Sequence, residues 1–216
     1  MDLKEALYTT RAMRRVKPDP IPEEVVASMM DAAIRAPSGG NTQNWRWMAV
    51  SDPGIRAQLG PLYREAFALL QDTFYKGRRE AAEAAGDDGA LRVMRSSRWL
   101  ADNFEQVPLW VLAFSRNDPT GASIYPAVWN LMLAARGHGV GTCLTTILGI
   151  FKQAETFEVL GVPQDKGWKM AAAVSAGYPL GTWGVAARTP AQHVTYADRW
   201  GQPVAWAADE PLWHPS

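Results

Sequence analysis

One stretch constrains the fold more than any other: Ala36-Pro37-Ser38-Gly39-Gly40-Asn41-Thr42-Gln43-Asn44-Trp45-Arg46-Trp47. Before it, Val25, Val26, Met29, Met30, Ala33 and Ile34 recur at helical spacing. After it, Trp45 to Val50 reads as a strand. Pro37 cannot continue the helix, because it lacks an N–H and clashes with the preceding turn. Gly39 and Gly40 let the backbone take positive φ and let a ligand approach without a Cβ in the way. Ser38, Asn41 and Gln43 put hydroxyl and amide groups on the same short loop. Such a loop suits the polar edge of a flat heterocycle. The same residues also make an ordinary helix stop and turn, so both readings stay open on residue chemistry alone.

Length and charge narrow the function classes. With 216 residues the chain can bury one substantial core. We expect a single domain over 1–216, with 180–216 as a C-terminal arm. The 22 basic and 22 acidic side chains cancel, which argues against an electrostatic nucleic-acid partner. No apolar run approaches the roughly 20 residues that span a bilayer. Met1-Asp2-Leu3-Lys4-Glu5 is charged, unlike a signal peptide. Cys143 is the single cysteine, so no internal disulfide is possible, and a reducing cytoplasm is the expected location. Of the ten tryptophans, Trp183, Trp200, Trp206 and Trp213 fall in the aperiodic tail. Large aromatics there indicate an arm that packs against something.

In chain order, Asp2 and Glu5 have capping-box spacing, and a first helix is expected to run to about Met13. Pro22 suits the first position of a second helix, with Glu23 and Glu24 at its positive end. After the loop and its strand come helices over Asp52 to Leu59, Leu62 to Ala85 and Leu91 to Phe104. Pro108 to Phe114 is nearly all apolar, as a buried central strand would be. A long helix spans Ile124 to Arg136, ended by Gly137 and Gly139. Val140 to Thr146 and Met170 to Ala176 are further strands, with a helix over Lys152 to Leu160 between them. This alternation implies an α+β architecture, with a central, mostly antiparallel five-stranded sheet and one parallel pairing.

Three separated pieces line up with one family. They are Arg11-Ala12-Met13-Arg14 followed by Pro18 to Pro22; the Ala36 to Trp45 loop; and Gly139 to Thr146 with Gly177-Tyr178-Pro179 and Arg188-Thr189-Pro190 beyond. In order and spacing they resemble the FMN-dependent nitroreductase family from about Leu3 to Pro190. The resemblance implies an α+β homodimer with FMN sites at the subunit interface. By position, Arg11, Ala12, Met13 and Arg14 would meet the phosphate, ribityl chain and pyrimidine side of FMN. Pro37, Ser38, Gly39, Asn41 and Gln43 would come from the partner chain. Thr145, Thr146 and Ile147 would run past the N5 edge, and Arg188 would close over the phosphate.

The residue types suit that assignment. A phosphate carries about −1.5 to −2 charges near neutral pH, and arginine matches its oxygens bidentately. The implied reaction is reduction of nitroaromatics, quinones or activated enones, with NADH or NADPH as co-substrate. Relatives of this fold also remove halogen, oxidise substrates or consume flavin, and a non-catalytic flavin-binding dimer is a further alternative. The cofactor carries the hard chemistry, so no catalytic side chain is assigned and no metal is expected. Two positions depart from the family pattern: Ala12 where Ser is common, and Asn44 where Pro is common.

Several residues have plainer readings. Arg14 and Arg15 at a helix end would complement its dipole. Cys143 reads as a small buried strand residue. His138, between two glycines at a helix end, reads as a dipole partner. Gly86-Asp87-Asp88-Gly89 reads as a turn. Substrate selection is expected from Phe67, Phe74, Tyr75 and Arg78 in the middle region.

Overall fold

A computed structural model describes residues 1–214. The chain divides into two compact units: Met1–Arg11 with the chain from Thr182 onward, and Ala12–Gly181.

The larger unit is organised by the apolar run the sequence places at its centre. Strand β1 spans Trp45–Val50, β2 Leu109–Ser115, β3 Gly141–Thr145 and β4 Lys169–Gly177. Their order is β1-β2-β4-β3, and every pairing is antiparallel. All seven residues of β2 are buried, because both of its faces are covered. Trp110, Leu112 and Phe114 point into one core, and Leu109, Val111 and Ala113 into another. Strand period two explains the split.

Helices supply the two covers. On the Leu109 face lie α2 (Glu23–Ala33) and α6 (Ile124–Gly137), through Met29, Ala33, Val128 and Leu131. On the Trp110 face lie α3 (Pro53–Thr73), α5 (Asp88–Asp102), α7 (Ile147–Phe151) and α8 (Gln153–Leu160). Between α3 and α5 sits α4 (Arg78–Ala85), entered at Gly77 with φ 73° and left at Gly86 with φ 64°. Both backbones lie in the left-handed region that glycine adopts at least cost.

The expected fifth strand and parallel pairing do not occur among the described residues. Strands β1 to β4 are the four segments with strand patterning. Beyond them, Pro179, Pro190, Pro203 and Pro211 remove backbone donors along the tail. The break expected after Leu59 is also absent. Pro61 removes one helical hydrogen bond, yet α3 runs through it. Leu59, Tyr63, Ala66 and Phe67 are buried on one face and hold the helix continuous.

In the smaller unit, α1 spans Leu3–Thr9, with the Asp2 carboxylate accepting from the Glu5 N–H at 2.7 Å. It therefore stops four residues short of Met13. The tail carries a tight reversal with Tyr196 bridged to Pro203. Asp198 (φ 57°) and Gly201 (φ 85°) turn it, and Trp200 at its tip is 92% exposed. No helix among the described residues is long and apolar enough to cross a membrane.

Candidate functional site

Residues 12–17 are extended rather than helical, and this places the first candidate side chain. The Met13 N–H donates to the Thr142 carbonyl at 2.8 Å, and the Lys17 N–H to the Tyr178 carbonyl at 2.8 Å. Close approach is possible because position 141 is glycine. A Cβ there would stand 2.8 Å from the Met13 Cβ. Met13 is buried by this contact, and Arg14 beside it reaches a cavity of about 420 Å³. With α1 ending at Thr9, Arg14 and Arg15 have no helix terminus of their own to complement.

Three elements wall this cavity. Tyr63, Phe67 and Leu70 come from one face of α3, and Met94, Ser97 and Leu100 from α5. The end of β3 and the start of α7 bring Cys143, Thr145, Thr146 and Ile147. The first N–H groups of α7 have no partner within their own helix. Arg14 Nη1 lies 3.4 Å from Ser96 Oγ. Tyr63 packs its ring 5.0 Å from Phe104 and 5.5 Å from Trp110. Burial pushes its phenol well above the usual tyrosine range, against the pull of a Thr145 hydrogen bond and the Arg14 charge. Burial likewise raises the Cys143 thiol, with Arg14 opposing. Both groups are therefore neutral near pH 7.

The Gly-rich loop lies on a second cavity, of about 420 Å³, which shares no lining residue with the first. Pro37, Ser38 and Gly39 line it together with Asp118 and Ser123. The loop is fixed by its own polar groups. The Gly39 N–H donates to Ser123 Oγ at 3.2 Å, the Gln43 N–H to Ser38 Oγ at 3.1 Å, and Gln43 Nε2 to Asn41 Oδ1 at 3.1 Å. Asn41 (φ 51°) and Gln43 (φ 50°) take left-handed backbone. Asn44, where the family pattern has proline, accepts from the Arg116 N–H at 3.0 Å.

Arg11 and Arg188 belong to the smaller unit, and both are exposed. Arg11 Nη2 donates to the Thr182 carbonyl at 3.0 Å, and Arg188 Nη1 to the Ala187 carbonyl at 2.9 Å. Arg188 lines a cavity of about 620 Å³ with Tyr8, Thr10 and Pro190. Ala12 is exposed and opens the extended segment.

Of the sequence-expected residues, one cavity thus gathers Arg14, Thr145, Thr146 and Ile147, a second takes Pro37, Ser38 and Gly39 but not Asn41 or Gln43, and Arg11 and Arg188 lie in the other unit. From the middle region Phe67, Tyr75 and Arg78 do line the first cavity. Phe74 does not: it is 65% exposed, with its ring 6.3 Å from Phe151. The sequence reading missed Tyr63 and Ser97. Tyr63 was detectable, since Tyr63, Phe67 and Leu70 follow one helical stripe. Ser97 carried no signal of its own. His138 is the C-cap residue of α6, with Nε2 2.9 Å from Ser28 Oγ.

Known proteins share this architecture. Over 191 residues, 82% of this chain and 83% of the relative, the sequence is 28% identical to the 5,6-dimethylbenzimidazole synthase of Rhodobacter capsulatus. The structure of oxidized iodotyrosine deiodinase bound to FMN and 3-iodo-L-tyrosine superposes with a TM-score of 0.71. That match has 20% identity and covers 93% of this chain and 100% of the other. A nitroreductase with bound FMN from Desulfitobacterium hafniense DCB-2 gives 0.68 at 18% identity, over 92% and 100% of the two chains. At these identities the solved structures establish the fold. The sequence pattern described as "Nitroreductase family" matches residues 7–178, most of the chain; the protein belongs to the nitroreductase family.

Proposed function

We propose that this protein is an FMN-dependent oxidoreductase. It takes electrons from NADH or NADPH and passes them to flat, electron-poor acceptors such as nitroaromatics, quinones or activated enones. One observation carries the reading. Arg14, Thr145 and Thr146 meet on a cavity that Tyr63, Phe67, Leu70 and Leu100 also line. A permanent cation and two hydroxyls beside Phe67, Leu70 and Leu100 match a flat heterocycle with one polar edge. The donor set therefore fits FMN. When bound, FMN would supply the electron-transfer chemistry.

The chain's own residues bind and orient. Arg14 favours a ligand that gains negative charge beside it. The neutral Tyr63 and Cys143 add no charge of their own. Arg11 and Arg188 are assigned to the phosphate, and Ala12 and Met13 to the ribityl chain and pyrimidine side. Pro37, Ser38, Gly39, Asn41 and Gln43 are assigned to the site of a second copy, in a homodimer where each flavin is held by two chains. That assignment agrees with the separation of the two cavities. The tail from residue 180 is assigned to the partner surface within one functional domain, and the location to the cytoplasm. In this reading neither nucleic acid nor membrane is a partner.

A second reading keeps the cofactor and changes the reaction. It is favoured by the similarity to a 5,6-dimethylbenzimidazole synthase and to an iodotyrosine deiodinase fold. The test is a visible spectrum of the purified protein, followed by release and identification of the cofactor. About one FMN per chain is expected. Anaerobic reduction by NADH or NADPH and reoxidation by each acceptor class then separate the two reactions. Protein that stays colourless with excess FMN overturns both.

A further inference from the structure

The first cavity holds charge of one sign only. Arg14 and Arg78 line it, and no Asp or Glu does. Arg78 is the first residue of α4, where the helix dipole disfavours a cation. Nor does α4 supply it with a partner. The adjacent Arg79 pairs with Glu83 at 2.9 Å, whereas the residue four beyond Arg78 is Ala82. Among the described residues, Arg78 has no carboxylate within ion-pair distance.

Its orientation is nevertheless set. The guanidinium carbon lies 4.8 Å from the centroid of the Tyr75 ring, and Tyr75 also lines the cavity. A guanidinium held over a ring keeps N–H groups that bind oxyanions in pairs. Beside them stand the apolar Phe67, Leu70 and Met94. A flat apolar body with a single anionic group satisfies all of these surfaces at once.

Resting on the oxidoreductase reading, we propose that the acceptor is a flat, electron-poor aromatic molecule bearing a carboxylate, and that Arg78 binds the carboxylate. A phosphate on a nicotinamide cofactor has related oxyanion chemistry. The two share the paired N–H contact that a guanidinium makes with an oxyanion, and the comparison of NADPH with NADH below separates them.

The experiment uses FMN-loaded protein and two probes of nearly equal shape, 4-nitrobenzoate and 4-nitrobenzamide. Their binding is measured by titration calorimetry to the native protein, Arg78→Gln and Arg78→Lys. The native protein is expected to prefer the benzoate. Arg78→Gln is expected to weaken the benzoate about tenfold and leave the amide unchanged, as for one charge-assisted contact at a partly exposed rim. Arg78→Lys should restore only part of the loss, since it keeps the charge without the fork. Equal binding of the two probes, or equal weakening of both in Arg78→Gln, overturns the inference. So does a loss in Arg78→Gln confined to FMN, or to NADPH against NADH, because either places Arg78 on a cofactor. FMN uptake by the native protein, read from the flavin band, reports separately on the functional reading. No uptake removes that reading and this inference together, whereas uptake without benzoate preference removes the inference alone.

Discussion

Two neutral groups on the first cavity behave in opposite ways to what their residue types suggest. Cys143 is a thiol, yet it is 2% exposed and burial raises its pKa. Its reaction with a disulfide reagent at pH 8 should be about a hundredfold slower in the native protein than in denaturant. Absorbance of the released thiolate reads this directly, and equal rates would contradict the burial. Tyr63 carries the opposite kind of information, because its ionisation is coupled to folding. Its folded pKa is raised above the ordinary value of 10.0 by burial. The unfolded chain releases this proton first as pH rises, so the folded state then binds more protons. Stability is therefore full below about pH 10 and falls as pH climbs toward the folded pKa. Urea midpoints across pH 9 to about 11.5 should show this fall, and Tyr63→Phe should flatten it while keeping the packing on Phe104 and Trp110. An unchanged slope in Tyr63→Phe would assign the titration elsewhere.

Among elements, the strap of residues 12–17 does the positioning, and it was the part least visible in the sequence. Gly141→Ala tests it, since the new methyl would collide with Met13. A loss of about 1–3 kcal/mol is expected from overpacking, with FMN affinity falling further than stability because Arg14 moves with Met13. Denaturant melts and flavin titration on the same variant separate the two effects. The four strands were legible because β2 is apolar on both faces and its partners are short runs flanked by breakers. The strap was not, because Arg11 to Arg14 continue the apolar and charged spacing of α1, and only tertiary pairing to Thr142 and Tyr178 pulls them straight. Pro61 misled in the other sense: a local rule was overridden by burial of the stripe through Tyr63 and Phe67. At the site, Thr145 and Thr146 looked like plain strand sequence, and only the family pattern marked them out. Phe74 lies two helical turns beyond Phe67 and would share its face on a continued helix, but α3 ends at Thr73, which the sequence does not mark.

For the whole molecule, the two separate cavities bear on assembly. If each flavin needs Arg14 from one chain and the Gly39 loop from another, two damaged chains can mend each other. Gly39 suits this because a Cβ there meets nothing within 4 Å of its own chain. Gly39→Leu should fold normally and obstruct only what docks against the loop, while Arg14→Ala removes the cation. Each variant alone should lose flavin-dependent turnover. Co-expressed in equal amounts, they should recover about a quarter of the native sites, since half the dimers are mixed and each mixed dimer has one intact site of two. No recovery in verified mixed dimers would show that each chain builds its site alone. The glycines that bracket α4 have a consequence of another kind. Gly77 and Gly86 end its backbone ladder on both sides, and no residue of α4 takes part in the sheet. Under the oxidoreductase reading, substitutions within this ten-residue interval would change which acceptors are taken and leave the four strands untouched.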